Sequence, residues 1–215
     1  MSPRHPGRVR AAGSDRELEM NDLSVPVKTS IVAVLLTLVI ATRFHHFGSA
    51  LHLPDASMAV FFLGGVYLRR HALFAGFMLL AVAIDYVAIT GRGLSFYQHY
   101  CVTPSYASLL LAYAVLWYAG RMYAPRMAAN GRAVAIGLGL ALVAASVSFL
   151  ISNGAFYWFG GRYPQPNLDQ YLARLWRWGP LFVRTTMIYI ASGFLVHALI
   201  ARFAPAHAAH SRSRA

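Results

Sequence analysis

Six apolar stretches alternate with short polar connections along this chain. The stretches cover residues 25–42, 54–68, 72–90, 104–123, 133–159 and 179–203. A helix needs about 20 predominantly apolar residues to cross a bilayer, and five of the stretches approach or exceed that length. The remaining stretch, 54–68, is short and is expected to begin nearer Leu51 or to be tilted or partly re-entrant. The pattern predicts an all-α integral membrane protein, built as a six-helix transmembrane bundle.

The ends of the chain differ from its middle. Residues 1–24 are polar and mixed in charge, and they predict a disordered tail. Residues 25–203 form the predicted membrane domain, and 204–215 a short C-terminal tail. A signal peptide is the competing interpretation of the first apolar run, but the run ends in Thr42-Arg43-Phe44-His45, a poor cleavage site. We therefore expect a retained span.

Composition excludes an ordinary soluble domain. Charged residues make up 12% of the chain and hydrophobic ones 58%, whereas soluble domains carry about 25% charged residues. The formal net charge of +12 does not indicate nucleic acid binding, because the basic residues lie between apolar stretches. Thirteen of the nineteen Lys and Arg residues fall on one side of the predicted topology. Cytoplasmic loops carry such an excess, so both termini are predicted to be cytoplasmic.

The three connections predicted to face outward are rich in aromatic and ligand-forming side chains. One interpretation is an aromatic belt at the membrane surface. The other is an outward pocket lined by aromatic residues with a few donor atoms. The connections contain Arg43-Phe44-His45-His46-Phe47-Gly48, Ser95-Phe96-Tyr97-Gln98-His99-Tyr100-Cys101 and Tyr157-Trp158-Phe159-Gly160-Gly161-Arg162-Tyr163.

Cys101 is the single cysteine. An intramolecular disulfide is therefore excluded, as is a zinc site built from cysteines of this chain. A thiolate is a soft metal ligand and a nucleophile, and the neighbouring His99 is placed to take its proton. The alternative is a buried, inert cysteine.

Asp85 and Arg184 are the charges placed well inside predicted spans. Charges in a membrane are costly and are usually paired or functional. The two residues have a similar predicted depth, which allows a mutual ion pair or a role in the pocket. Small residues also recur at helical spacing, at Gly137, Ala141 and Ala145, and predict close helix packing inside the bundle.

The run Tyr100-Cys101-Val102-Thr103-Pro104-Ser105-Tyr106 resembles the cysteine motif of the BtuM family. The resemblance extends to Phe44-His45-His46-Phe47-Gly48, to Leu53-Pro54-Asp55-Ala56-Ser57 and to Asp85-Tyr86. Members of that family are small bacterial inner-membrane proteins of six spans. They are similar to the substrate-binding S-components of energy-coupling-factor transporters and are linked to cobalamin uptake.

The resemblance implies that the outward loops enclose a corrinoid, with the bilayer and cobalamin as partners. It implies that Cys101 ligates the corrin cobalt and assists removal of cyanide from cyanocobalamin. His46 is the second axial candidate, with His45 as its alternative. Further residues of the implied binding site are Asp85, His99, Tyr100 and Tyr106. Docking on an energy-coupling module through small residues of the first span is expected to be poor, because Thr37 stands between Ala33 and Ala41.

Two other functions compete with cobalamin uptake. A haem-binding membrane redox protein would use the nine histidines, but bis-histidine haem in a bundle needs histidines on facing spans, and here they cluster outside. A membrane sensory or scaffold module would carry an output domain, for which the 12 residues after Phe203 leave no room.

Overall fold

The computed structural model describes residues 24–43, 54–99 and 102–212, with side chains up to Arg202. All regular secondary structure in these residues is helical. Short 3-10 turns lie at Phe96–Gln98, Pro104–Ala107 and Ala124–Arg126. The helices are α1 (Val25–Arg43), α2 (Ser57–Tyr67), α3 (His71–Thr90), α4 (Ser108–Tyr123), α5 (Gly131–Phe159) and α6 (Leu168–Arg212).

Four of the helices are long and apolar enough to cross a membrane. They are α1, α3, α5 and the Leu168–Arg202 stretch of α6. In the most apolar 18-residue stretch of each helix, between 17% and 33% of the residues are buried inside the protein. Most of the apolar surface of these helices therefore faces outward. A helical membrane protein solvates such surface with lipid. The predicted all-α class is confirmed, and the long helices are compatible with a membrane location.

The second helix is the core of the bundle. It has 11 residues, or about 16 Å of helix, against a hydrocarbon core of about 30 Å. Nine of those residues are buried, and α2 packs against each of the other five helices. Its shortness, expected from the sequence, therefore reflects a helix enclosed by its neighbours.

Glycines allow α2 and α4 to cross at backbone contact. A Cβ at Gly65 would overlap the carbonyl oxygen of Trp117, and a Cβ at Gly120 would overlap that of Phe62. Backbone atoms cannot move aside as a flexible side chain can, so these positions admit only glycine. Close approach of this kind is how helices associate in membranes.

The small-residue row on α5 lies inside the bundle. Gly137, Ala141 and Ala145 are buried, and a Cβ at Gly137 would meet the rings of Tyr123 and Phe194. This confirms the expected packing role. The comparable row on α1 differs, because its Ala33 and Thr37 are exposed.

The sixth helix begins at Leu168 rather than near residue 179, so the predicted start was wrong. The extra turns carry Asp169, Arg174 and Arg177. Because of these charges, the segment does not stand out as an apolar run in the sequence. The Asn167 side chain accepts a hydrogen bond from the Gln170 backbone N–H at 2.9 Å, which caps the helix. Arg174 and Arg177, expected in a loop, therefore lie on α6.

Replacing Gly120 with alanine should destabilise the bundle by about 1–3 kcal/mol, because the new methyl group overlaps α2 backbone. Gly139→Ala is the matched control, since a Cβ there meets no atom within 4 Å, and it should be neutral or slightly stabilising. Thermal unfolding of the purified protein in detergent measures both. Equal midpoints for the two variants would contradict the close crossing.

Candidate functional site

A cavity of about 320 Å³ lies at one end of the bundle, where α1 and α3 end and α2 and α4 begin. Its polar and charged lining residues come from two groups of elements, which we call the first and second walls, and apolar side chains complete the lining. The first wall carries Arg43, Asp55, Asp85, Tyr106 and Tyr113. The second carries Ser148, Ser152, Asn153, Arg162, Tyr163 and Arg174. The apolar residues are Met58, Leu109, Phe149, Phe156 and Phe182.

A buried ion pair organises the first wall. Arg43 is the last residue of α1, and Asp85 lies in the last two turns of α3. The Arg43 Nε donates to Asp85 Oδ1 at 2.8 Å, and Nη2 donates to Oδ2 at 2.6 Å. Arg43 and Asp85 each expose only 6% of their surface. Such a two-pronged pair is strong and directional.

The remaining guanidinium nitrogen is also hydrogen-bonded. Arg43 Nη1 donates to Tyr113 OH at 2.9 Å and to Ser57 Oγ at 3.1 Å. Ser57 Oγ in turn donates to Asp55 Oδ1 at 2.6 Å, and Asp55 Oδ2 lies 3.7 Å from Nη1. Each of the three guanidinium nitrogens of Arg43 thus donates to a partner within the protein.

Tyr106 completes this wall. Its hydroxyl donates to Asp85 Oδ2 at 2.6 Å. Tyr106 lies in the 3-10 turn Pro104–Ala107, which opens with proline and leads into α4. Asp85 thus joins the end of α1 to the approach to α4.

The second wall is formed by α5, α6 and the connection between them. Arg174 Nη1 donates to Tyr163 OH at 2.7 Å, and the Tyr157 ring lies 4.7 Å from the Tyr163 ring. Among the described residues, Asn153 Oδ1 and Arg174 Nε have no hydrogen-bond partner although both atoms are buried. This wall therefore retains unused hydrogen-bonding capacity.

The predicted site residues divide into three groups. Asp85 and Tyr106 line the cavity. His99 is half-buried at the end of the turn Phe96–Gln98 and is not one of the lining residues. His45, His46, Tyr100 and Cys101 lie outside the described residues, and their roles stay predictions.

Of the two roles that the sequence allowed for Asp85, the ion pair with Arg184 is not formed and the place in the pocket is, because Asp85 lines the cavity. Asp85 pairs with Arg43, which had been assigned to a loop, whereas Arg184 is exposed on α6. Similar depth on two helices does not bring side chains together unless they also point toward each other. The position of Arg43 directly after an apolar run was the signal that could have placed it on α1.

Arg174 gained its importance for the cavity only from the structure. Polar residues within helices give no sequence signal of the cavity that they face. Within the residues that the structure describes, no group of three or more His, Cys, Asp or Glu is placed to hold a metal ion. No protein-family model and no curated protein matches the chain.

Asp85→Asn should destabilise the protein by about 3–5 kcal/mol, because it removes the directly bonded counter-charge of a buried arginine and leaves only the more distant Asp55 carboxylate. The double variant Arg43→Leu/Asp85→Leu should lose less than this single variant, since it removes both charges. The midpoint of thermal unfolding in detergent tests both expectations.

Asp169→Asn is the control for the removal of a carboxylate. Asp169 is exposed in the first turn of α6, so its loss should cost no more than about 1 kcal/mol. If Asp85→Asn unfolds at the same temperature as Asp169→Asn, the Arg43–Asp85 pair does not support the fold as argued.

Proposed function

We propose that this chain is a multi-pass protein of the bacterial inner membrane that binds cobalamin or a related corrinoid and takes part in its uptake. The observation that carries the proposal is the cavity wall on which Asp85 and Tyr106 meet. These two residues belong to the site implied by the family resemblance, and they come from sequence positions 21 residues apart. The shared cavity and the hydrogen bond between them support the role that the resemblance implies, that of residues which shape the pocket.

The chain connections support the rest of the proposed ligand set. His45 and His46 follow Arg43, a lining residue, by two and three positions, and Cys101 precedes Tyr106 by five. The segments bearing the proposed cobalt ligands thus leave from residues on the first wall. A corrinoid bound here would meet the cavity and these segments together.

The cavity has room for only part of the proposed ligand. About 320 Å³ is at the lower end for small-molecule pockets, and a complete corrinoid is larger. In the proposed complex one edge of the corrin enters the cavity. The outward connections then cover the rest of the ring.

Cys101 is the proposed axial ligand. A thiolate sulfur suits cobalt in a corrin better than a hard oxygen does. In cyanocobalamin its binding forms a cobalt–sulfur bond, breaks the cobalt–carbon bond and releases cyanide ion. His46, with His45 as the alternative, is the proposed imidazole at the cobalt.

The proposed topology follows from the basic residues. With both termini in the cytoplasm, the cavity end of the bundle faces outward, where a substrate for uptake arrives. The exposed Ala33 and Thr37 on α1 leave a surface for an energy-coupling module, although the threonine makes that docking surface imperfect.

Full-length protein purified from cells fed cobalamin should carry a corrinoid absorption spectrum. Cys101→Ser should shift that spectrum and abolish release of cyanide from cyanocobalamin, because a serine hydroxyl is a poor ligand for this metal. Absorption spectroscopy and cyanide determination on the purified protein measure the two effects.

His71→Asn is the control for loss of a possible metal ligand. His71 starts α3 and contacts Tyr118 and Arg121, about 20 Å of helix away from Asp85, so its loss should leave the spectrum unchanged. A colourless protein without affinity for cobalamin would contradict the proposal. A haem Soret band in its place would favour the redox alternative.

A further inference from the structure

We infer that the α5–α6 wall of the cavity binds a primary carboxamide group of the ligand, through Arg174 as donor and Asn153 as acceptor. This inference rests on the proposed function and names the part of the corrinoid that enters the cavity. Corrinoids carry primary carboxamides at the edge of the ring, and each offers an oxygen acceptor beside an N–H donor.

The two protein atoms are complementary to such a group. Among the described residues, Arg174 Nε is a buried donor without a partner, and Asn153 Oδ1 is a buried acceptor without one. An unpaired buried polar atom costs about 1–3 kcal/mol. A group that pairs with both atoms recovers that cost on binding.

Helix packing places the two residues at the same level of the α5–α6 pair. A Cβ at Gly154 would lie 3.1 Å from Tyr171 OH, and a Cβ at Gly179 lies 3.2 Å from the Phe149 ring. Because the helices run antiparallel, Asn153 and Arg174 fall between these two contacts. Asn153 and Arg174 also line the same cavity.

Aromatic side chains hold this wall in place. Tyr163 fixes the Arg174 guanidinium through its hydroxyl. Tyr157 stacks on Tyr171 with ring centroids 5.2 Å apart and hydrogen-bonds the Asn167 backbone N–H at 3.0 Å. With Nη1 engaged, Arg174 presents Nε in a set direction, which favours one ligand geometry.

In the orientation that the structure gives Asn153, its acceptor favours a carboxamide over an anion. A carboxylate or phosphate would gain from Arg174 but would set its own oxygens against Asn153 Oδ1. A carboxamide places its oxygen at Arg174 and its N–H at Asn153, so both protein atoms are paired. Arg43 offers no comparable site, because each of its guanidinium nitrogens already donates to Asp85, Ser57 or Tyr113.

The test compares cyanocobalamin with its monocarboxylate isomers, each of which has one side-chain amide hydrolysed. Wild-type protein should bind at least one isomer about tenfold more weakly than the parent, as expected for loss of one well-formed hydrogen bond. Asn153→Ala should bind the parent about tenfold more weakly and should no longer disfavour that isomer. Isothermal titration of the full chain in detergent gives the affinities.

Arg177→Ala is the control on the same helix, since Arg177 is exposed and does not line the cavity. Its affinities should match those of the wild type. Unfolding midpoints establish that each variant is folded. Arg174→Lys, which keeps the charge but loses the planar donor, tests the donor side of the same contact. It should bind the parent more weakly.

Three outcomes overturn the inference. Equal binding of the parent and every isomer by the wild type excludes a carboxamide contact. Tighter binding of an isomer makes the wall an anion site. Unchanged affinity in a folded Asn153→Ala removes the acceptor from the site. If the wild type binds no corrinoid at all, the proposed function itself fails and the inference with it.

Discussion

The buried guanidinium of Arg43 is the constraint on which this end of the bundle depends. Arginine stays charged in proteins, and burial of an unpaired charge is too costly to persist in a stable fold. The partners of Arg43 come from the start of α2, from α3 and from α4. These helices must therefore meet where α1 ends, and the wall of the cavity follows from that meeting.

The apolar pattern predicted most of the helices because lipid-facing helices must be apolar along their length. The stretches 72–90 and 133–159 differ by one or two residues from α3 and α5. The pattern failed at the start of α6, where Tyr171 packs on α5 while Asp169 and Arg177 are exposed. Hydropathy averages over both faces, so an amphipathic extension of a helix cannot be distinguished from a loop.

The sequence predicted Asp85 as an important residue and left its role open between an ion pair with Arg184 and a place in the pocket. The structure pairs it with Arg43 and places it in the lining of the cavity. An intramembrane carboxylate needs a counter-charge, and this requirement is visible in the sequence. The identity of the counter-charge depends on helix rotation, which a linear pattern does not contain. Arg184 has a suitable depth yet faces outward, whereas Arg43 lies at a helix end that packs directly beside α3. Tyr106 was found through a motif resemblance, and Asn153 by its residue type alone, as one of several side chains suited to the amide groups of a corrin.

The two polar walls differ in whether their hydrogen bonds are already made. On the first wall, Arg43, Asp85 and Tyr106 satisfy one another, so a ligand gains little by competing with them. That wall maintains the shape of the cavity. On the second wall, Asn153 and Arg174 each retain a buried atom without a partner among the described residues, and a ligand that pairs both atoms gains hydrogen bonds that the protein does not supply. Selectivity follows from the same asymmetry, because a group that leaves either atom unpaired gives up part of that gain.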